Sequence, residues 1–209
     1  MIWIGNLHVI RFSVDVLIRS EKIFYFVQTF IPILISKMRN IEIKAKAYNP
    51  EIILKKAEEL SNSEGVIIRQ CDTFFKVEHG RLKLRIFENG DGELICYNRS
   101  NIAGPKLCDF KKLSLDSKTA VELKEILTVS NGIVGVVKKT RRLFLVGQTR
   151  IHVDQVEGLD GIFMELEVVL KDDETQEYGQ QIADDLMVKL NVKTEDLISV
   201  AYIDLLLSE

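Results

Sequence analysis

Several segments of this chain put charged residues on every second position, with aliphatic residues between them. Arg81, Lys83 and Arg85 alternate with Leu82, Leu84 and Ile86, and Glu42, Lys44 and Lys46 with Ile41, Ile43, Ala45 and Ala47. Arg150, His152 and Asp154 alternate with Ile151 and Val153, and Glu165 and Glu167 flank Leu166. Residues i, i+2 and i+4 of an extended strand share a face, so each segment reads as a strand with one apolar and one charged side. Alternation alone describes any half-solvated antiparallel sheet. The charged faces say more, because three cations stack in one strand and two carboxylates in another. Like neighbours repel, and such ladders persist best with opposite charge between them. Carboxylates suit a hard divalent cation and Lys and Arg suit phosphate oxygens. A closed or nearly closed barrel, polar face inward, would converge them on one cavity, with helices covering the apolar outside.

The rest of the pattern supplies the parts of such a barrel. Residues 39–47 alternate, and Asn49-Pro50 opens a helix with Ile53, Leu54, Ala57 and Leu60 at helical spacing. Residues 65–77 are extended, a candidate strand pair. Strands at 80–88 and 93–99 flank the turn Asn89-Gly90-Asp91-Gly92. A loop at 100–106 precedes a strand at 107–115 and a helix at 117–129. Strands at 134–146, 148–156 and 161–170 follow, then an amphipathic helix at 175–190 and a short one at 197–206. About eight strands and three or four helices make an α+β chain.

In this order the motifs resemble the CYTH superfamily, the triphosphate tunnel metalloenzymes. That family opens on Glu-x-Glu-x-Lys, which reads here Asn40-Ile41-Glu42-Ile43-Lys44. Gly80-Arg81-Leu82-Lys83-Leu84-Arg85 looks like its phosphate-binding strand, and Lys138-Lys139-Thr140-Arg141-Arg142 like its later basic strand. Gln148-Thr149-Arg150-Ile151-His152-Val153-Asp154 and Phe163-Met164-Glu165-Leu166-Glu167 look like its closing strands. The resemblance runs over residues 39–206. It implies an eight-stranded antiparallel β-tunnel, flanked by helices, that binds a triphosphate-containing small molecule and uses Mg²⁺ or Mn²⁺. By the same resemblance Glu42, Asp154, Glu165 and Glu167 are the metal ligands. Lys44, Arg81, Lys83, Arg85, Arg99, Lys106, Arg141 and Arg150 grip phosphates, with Glu42, Lys44, Glu165 and Glu167 catalytic. One departure stands out: Asn40 replaces the first signature Glu, and an amide oxygen ligates a hard cation without supplying charge. His152 shares the inward face of its strand, where a hydrogen-bonded structural role is expected. Strand parity separates Lys139 and Arg141 from Lys138 and Arg142, and Arg141 is taken as inward. The leading expectation is a metal-dependent triphosphatase. Cyclisation of ATP to cyclic AMP and pyrophosphate is the alternative, and non-catalytic polyphosphate or nucleotide binding a third.

Composition narrows the field. The net charge of −3 recommends no nucleic-acid partner. Cys71, Cys96 and Cys108 form no CxxC pair, which argues against a disulfide framework or a zinc site and for a reducing cytoplasm. No GxxxxGK phosphate loop occurs. The apolar run at 24–35 contains Pro32 and falls short of the roughly 20 residues a spanning helix needs. No small-residue cleavage site follows it, and Met38 stands just before the first patterned strand. The expectation is a functional domain at 38–209 behind an extension, 1–37, and no membrane association.

Overall fold

The computed structural model describes residues 10–20, 23–33, 38–99 and 103–208. Two compact units divide at Met38. In the first, β1 (Ile10–Ser20) and β2 (Ile23–Ile33) pair antiparallel.

The second unit is a closed antiparallel barrel of eight strands. Its members are β3 (Met38–Ala47), β4 (Val66–Phe75), β5 (Arg81–Phe87), β6 (Gly92–Arg99), β7 (Lys106–Leu115), β8 (Ile133–Val146), β9 (Thr149–Val156) and β10 (Ile162–Leu170). Around the barrel the order is β10-β3-β7-β6-β5-β4-β8-β9, with β9 closing on β10. The run at 65–77, expected as a candidate strand pair, holds the single strand β4 (Val66–Phe75), since no turn residue interrupts it. The β5–β6 hairpin turns at Gly90, whose φ of +90° suits glycine.

The helices are α1 (Pro50–Ser61), α2 (Ser117–Asn131), α3 (Gln176–Leu190) and α4 (Tyr202–Ser208). Proline opens α1, while Asp116 and Thr175 cap α2 and α3 by accepting from the Thr119 and Tyr178 amides. The principal core lies outside the barrel. Ile41 and Ile43 of β3, Leu166 and Val168 of β10 and Ile151 of β9 pack there against Ile53 and Ala57 of α1 and Leu186 and Leu190 of α3. Gly179 lets α3 approach closely: a Cβ there would stand 2.6 Å from Leu170 and 2.7 Å from Ile41. The helix expected at 197–206 starts later, at Tyr202. Ahead of it Leu197 bridges Ala45, and the Ile198 amide donates to the Lys44 carbonyl at 2.8 Å, so this stretch pairs with β3 instead of coiling. Among the described residues no helix is long and apolar enough to cross a membrane.

Candidate active site

Because the apolar faces are spent on the outer core, the charged faces point into the barrel. They line a cavity of about 920 Å³, counted with its open mouth. Lys44, Lys83, Arg85, Lys112, Lys139, Arg141 and Arg150 face it, against Glu42, Asp72, Glu93, Glu165 and Glu167. The cations are in excess, which suits a polyanionic guest.

These charges form two buried clusters. In the first, Arg141 donates from Nε and Nη2 to both Asp154 oxygens at 2.7 and 2.6 Å, and from Nη2 to Glu165 at 2.5 Å. Lys44 pairs with the other Glu165 oxygen and lies 3.4 Å from the centroid of the Tyr202 ring. The Tyr202 hydroxyl donates to Asp154 at 3.1 Å, and the Lys139 ammonium is 3.8 Å from the same carboxylate. Burial alone would raise the Glu165 carboxyl, but Lys44 and Arg141 outweigh it and hold it well below the usual range. At Asp154 burial is likewise overcome, by Arg141 and Lys139, leaving a pKa of about 2. Burial, then Arg141, pushes Lys139 down to about 8.

The second cluster centres on Asp72 of β4. It accepts from Lys83 at 2.9 Å, from Arg85 at 2.8 and 3.0 Å and from Gln70 at 3.2 Å. Asp72 thereby fixes two cations of the β5 ladder in place.

A metal can be tested against the donors present. Glu42 and Glu167 stand directly opposite each other in the β3–β10 register, two carboxylates whose oxygens suit a shared hard cation. Asn40, two residues from Glu42 on the same face, has a buried Oδ1 with no hydrogen-bond partner, an oxygen ready for a hard ion. His152, Glu165 and Glu167 also offer atoms within 4.8 Å of one another. The His152 Nδ1 is 3.7 Å from Glu165 and 3.8 Å from Glu167, too long for hydrogen bonds, and it too is unpartnered. Burial and Arg141 lower its pKa, which favours the neutral imidazole. The residues fit an oxygen-ligated divalent cation.

Of the residues expected from the sequence, the barrel brings Glu42, Lys44, Lys83, Arg85, Arg141, Arg150, Glu165 and Glu167 to one cavity. Three others stand apart from its lining. Asp154 is fully buried and held by Arg141 and Tyr202. Arg81 pairs with Asp204 of α4 at 2.8 Å, and Lys106 donates to the Ser199 carbonyl at 3.1 Å. Both reach the C-terminal segment, whose Ala201 and Tyr202 line the cavity. The Arg99 side chain lies outside the described residues. Sequence reasoning missed Asp72, Gln70 and Tyr202. It passed over Lys139, although strand parity had already set that residue beside Arg141.

An all-antiparallel closed barrel with a cationic, carboxylate-bearing interior defines the chain as a charged β-tunnel protein. It belongs to the CYTH domain family, whose model matches residues 38–202. Among solved structures, the PH1012 protein of Pyrococcus horikoshii OT3 is 26% identical, with 79% of this chain and 98% of that one covered and a TM-score of 0.65. A conserved hypothetical protein of Pyrococcus furiosus is 24% identical, with 79% and 99% covered and a TM-score of 0.66. An adenylyl cyclase candidate of Hippeastrum, described as having a dominant triphosphatase activity, is 14% identical, with 81% and 95% covered and a TM-score of 0.59. The likeness to the last two is one of fold. No curated protein matches the chain significantly.

Proposed function

We propose that this chain is a divalent-metal-dependent triphosphatase, in which water attacks a terminal phosphorus and releases phosphate and a diphosphate. The observation that carries the reading is the convergence of a cation ladder and facing carboxylates on one cavity. Membership of the CYTH family supports it, as does the activity ascribed to the Hippeastrum protein of like fold. Phosphoryl transfer asks mainly for positioning and charge neutralisation. Lys83 and Arg85, held by Asp72, offer pre-set donors to phosphate oxygens, and Lys139, Arg141 and Arg150 add three more cations. Glu42 and Glu167, with the Asn40 amide oxygen and Glu165 beside them, would hold Mg²⁺ or Mn²⁺. Such an ion supplies charge neutralisation at the phosphate oxygens. With Asn40 in place of a carboxylate the site has one negative charge fewer, which favours one metal over two.

Product analysis tests the reading. Inorganic triphosphate, thiamine triphosphate and ATP are each incubated with Mg²⁺ or Mn²⁺. Phosphate with a matching diphosphate is the expected outcome. Cyclic AMP and pyrophosphate from ATP would replace the hydrolase with a cyclase, and binding without turnover would leave a binding module.

Lys139 gives the activity a pH signature. A phosphate beside this ammonium raises its pKa from about 8. Triphosphate binding therefore takes up a proton above that pH, and affinity falls as pH rises from about 8 to about 10. Titration calorimetry in buffers of different ionisation heat reads the uptake, and Lys139→Gln removes it. An affinity that stays flat across this window would show that Lys139 does not meet the ligand.

A further inference from the structure

His152 of β9 stands across from Glu165 of β10, and Glu165 in turn stands across from Lys44 of β3. Two residues along β10, Glu167 lies between Arg150 and Glu42 in the same way. The His152 residue is only 3% exposed, and its Nδ1 has no hydrogen-bond partner. A buried ring nitrogen without a partner asks for a cause, since such groups are ordinarily satisfied. An Nδ1–H donating to a carboxylate would sit about 2.7–3.0 Å from its oxygen. This nitrogen stands instead 3.7 Å from Glu165 and 3.8 Å from Glu167, nearly equidistant from the two.

We propose that His152 Nδ1 is itself a metal ligand, a nitrogen donor that joins the carboxylates of Glu165 and Glu167 and tilts the site from Mg²⁺ toward transition ions such as Co²⁺ and Zn²⁺. The inference rests on the metal-dependent reading and deepens it. Ligand atoms about 2.0–2.2 Å from a shared ion lie roughly 2.8–3.6 Å from one another. One atom each of His152, Glu165 and Glu167 already lies within 4.8 Å of the others, so small side-chain rotations close the set. The Glu167 oxygen that faces Nδ1 is Oε1, whereas Arg150 holds Oε2, so the ion and Arg150 do not compete for one atom. Glu165 is the weaker member, because Lys44 and Arg141 already hold its two oxygens. Imidazole suits the later first-row ions, while carboxylate, carbonyl and water suit Mg²⁺. A neutral nitrogen in the set therefore changes which ion the cavity prefers.

Histidine-¹⁵N NMR of the full chain tests this, with Zn²⁺ alone and with Mg²⁺ alone. The chain has three histidines, His8, His79 and His152. Zn²⁺ moves the Nδ1 resonance of His152 to a metal-bound position, and His152→Gln removes that signal. The same substitution weakens Co²⁺ and Zn²⁺ binding, read by calorimetry, by about tenfold or more, and Mg²⁺ binding by less than about threefold. Replacing His8 and His79 together by Gln leaves His152 as the sole imidazole, and this double variant keeps the shift; it decides the matter if His152→Gln fails to fold. An equal loss for all three ions would give His152 a structural role and overturn the inference. If Zn²⁺ binds but moves no His152 nitrogen, the inference falls while the metal-dependent reading stands. If neither Zn²⁺ nor Mg²⁺ binds, alone or with inorganic triphosphate present, both fall.

Discussion

Glu167→Gln lowers metal-dependent triphosphate turnover by about a hundredfold or more, the scale of losing one electrostatic contact to a phosphoryl transition state. The change keeps shape and an oxygen ligand but removes one charge from the Glu42–Glu167 pair. Without metal, triphosphate binding strengthens slightly, because one carboxylate no longer repels phosphate. The fold is expected to tolerate the change, since Glu167 pairs at 3.3 Å with the half-exposed Arg150. Glu165→Gln differs, leaving Lys44 and Arg141 with a neutral partner in a buried site, and it lowers the melting temperature as well as activity. Steady-state kinetics across a metal titration, beside thermal melts, separate the two. Wild-type turnover in Glu167→Gln at low metal would remove this carboxylate from the reaction.

Arg141→Met costs roughly 3–5 kcal/mol of stability, the usual penalty for breaking a buried ion pair from one side. Asp154 and Glu165 are both left buried, one without its bidentate partner. For a chain of this size that lowers the melting temperature by about 10 °C. The change also moves the acid limit. Asp154 and Glu165 have depressed pKa values in the fold, so their contribution is full above the unfolded carboxylate range and is lost as pH falls through about 4 towards 2. Without Arg141 their pKa values rise, and acid unfolding sets in at higher pH. Adding Asp154→Asn to Arg141→Met restores part of the loss, because one stranded charge is gone. A single variant melting within about 2 °C of the wild type would show that the cluster does not hold the barrel.

The inward ladder was legible because strand parity is local: the faces of Lys83, Arg85, Glu165 and Glu167 follow from their positions alone. The start of α1 was legible for the same reason, through Pro50, whereas the last helix, expected from residue 197, begins only at Tyr202. Asp72 was not, since a carboxylate in an extended run shows no partner until β4 lies beside β5. The metal set drawn from the resemblance included Asp154. The structure gives that carboxylate to Arg141 and Tyr202, contacts 13 and 48 residues away in the chain.

The sequence by itself determined strands with one charged and one aliphatic face, and the resemblance of its ordered motifs added the expectation of a barrel with the charged faces inward and helices outside. Only the tertiary structure decided which charge meets which. Barrel closure fixes the register, and a shift of one residue would turn every side chain to the other face. That register sets Glu167 opposite Glu42 and Glu165 opposite Lys44, leaving one carboxylate facing another while its neighbour is clamped by a cation. Such pairings depend on segments far apart in the chain, which local patterning does not encode.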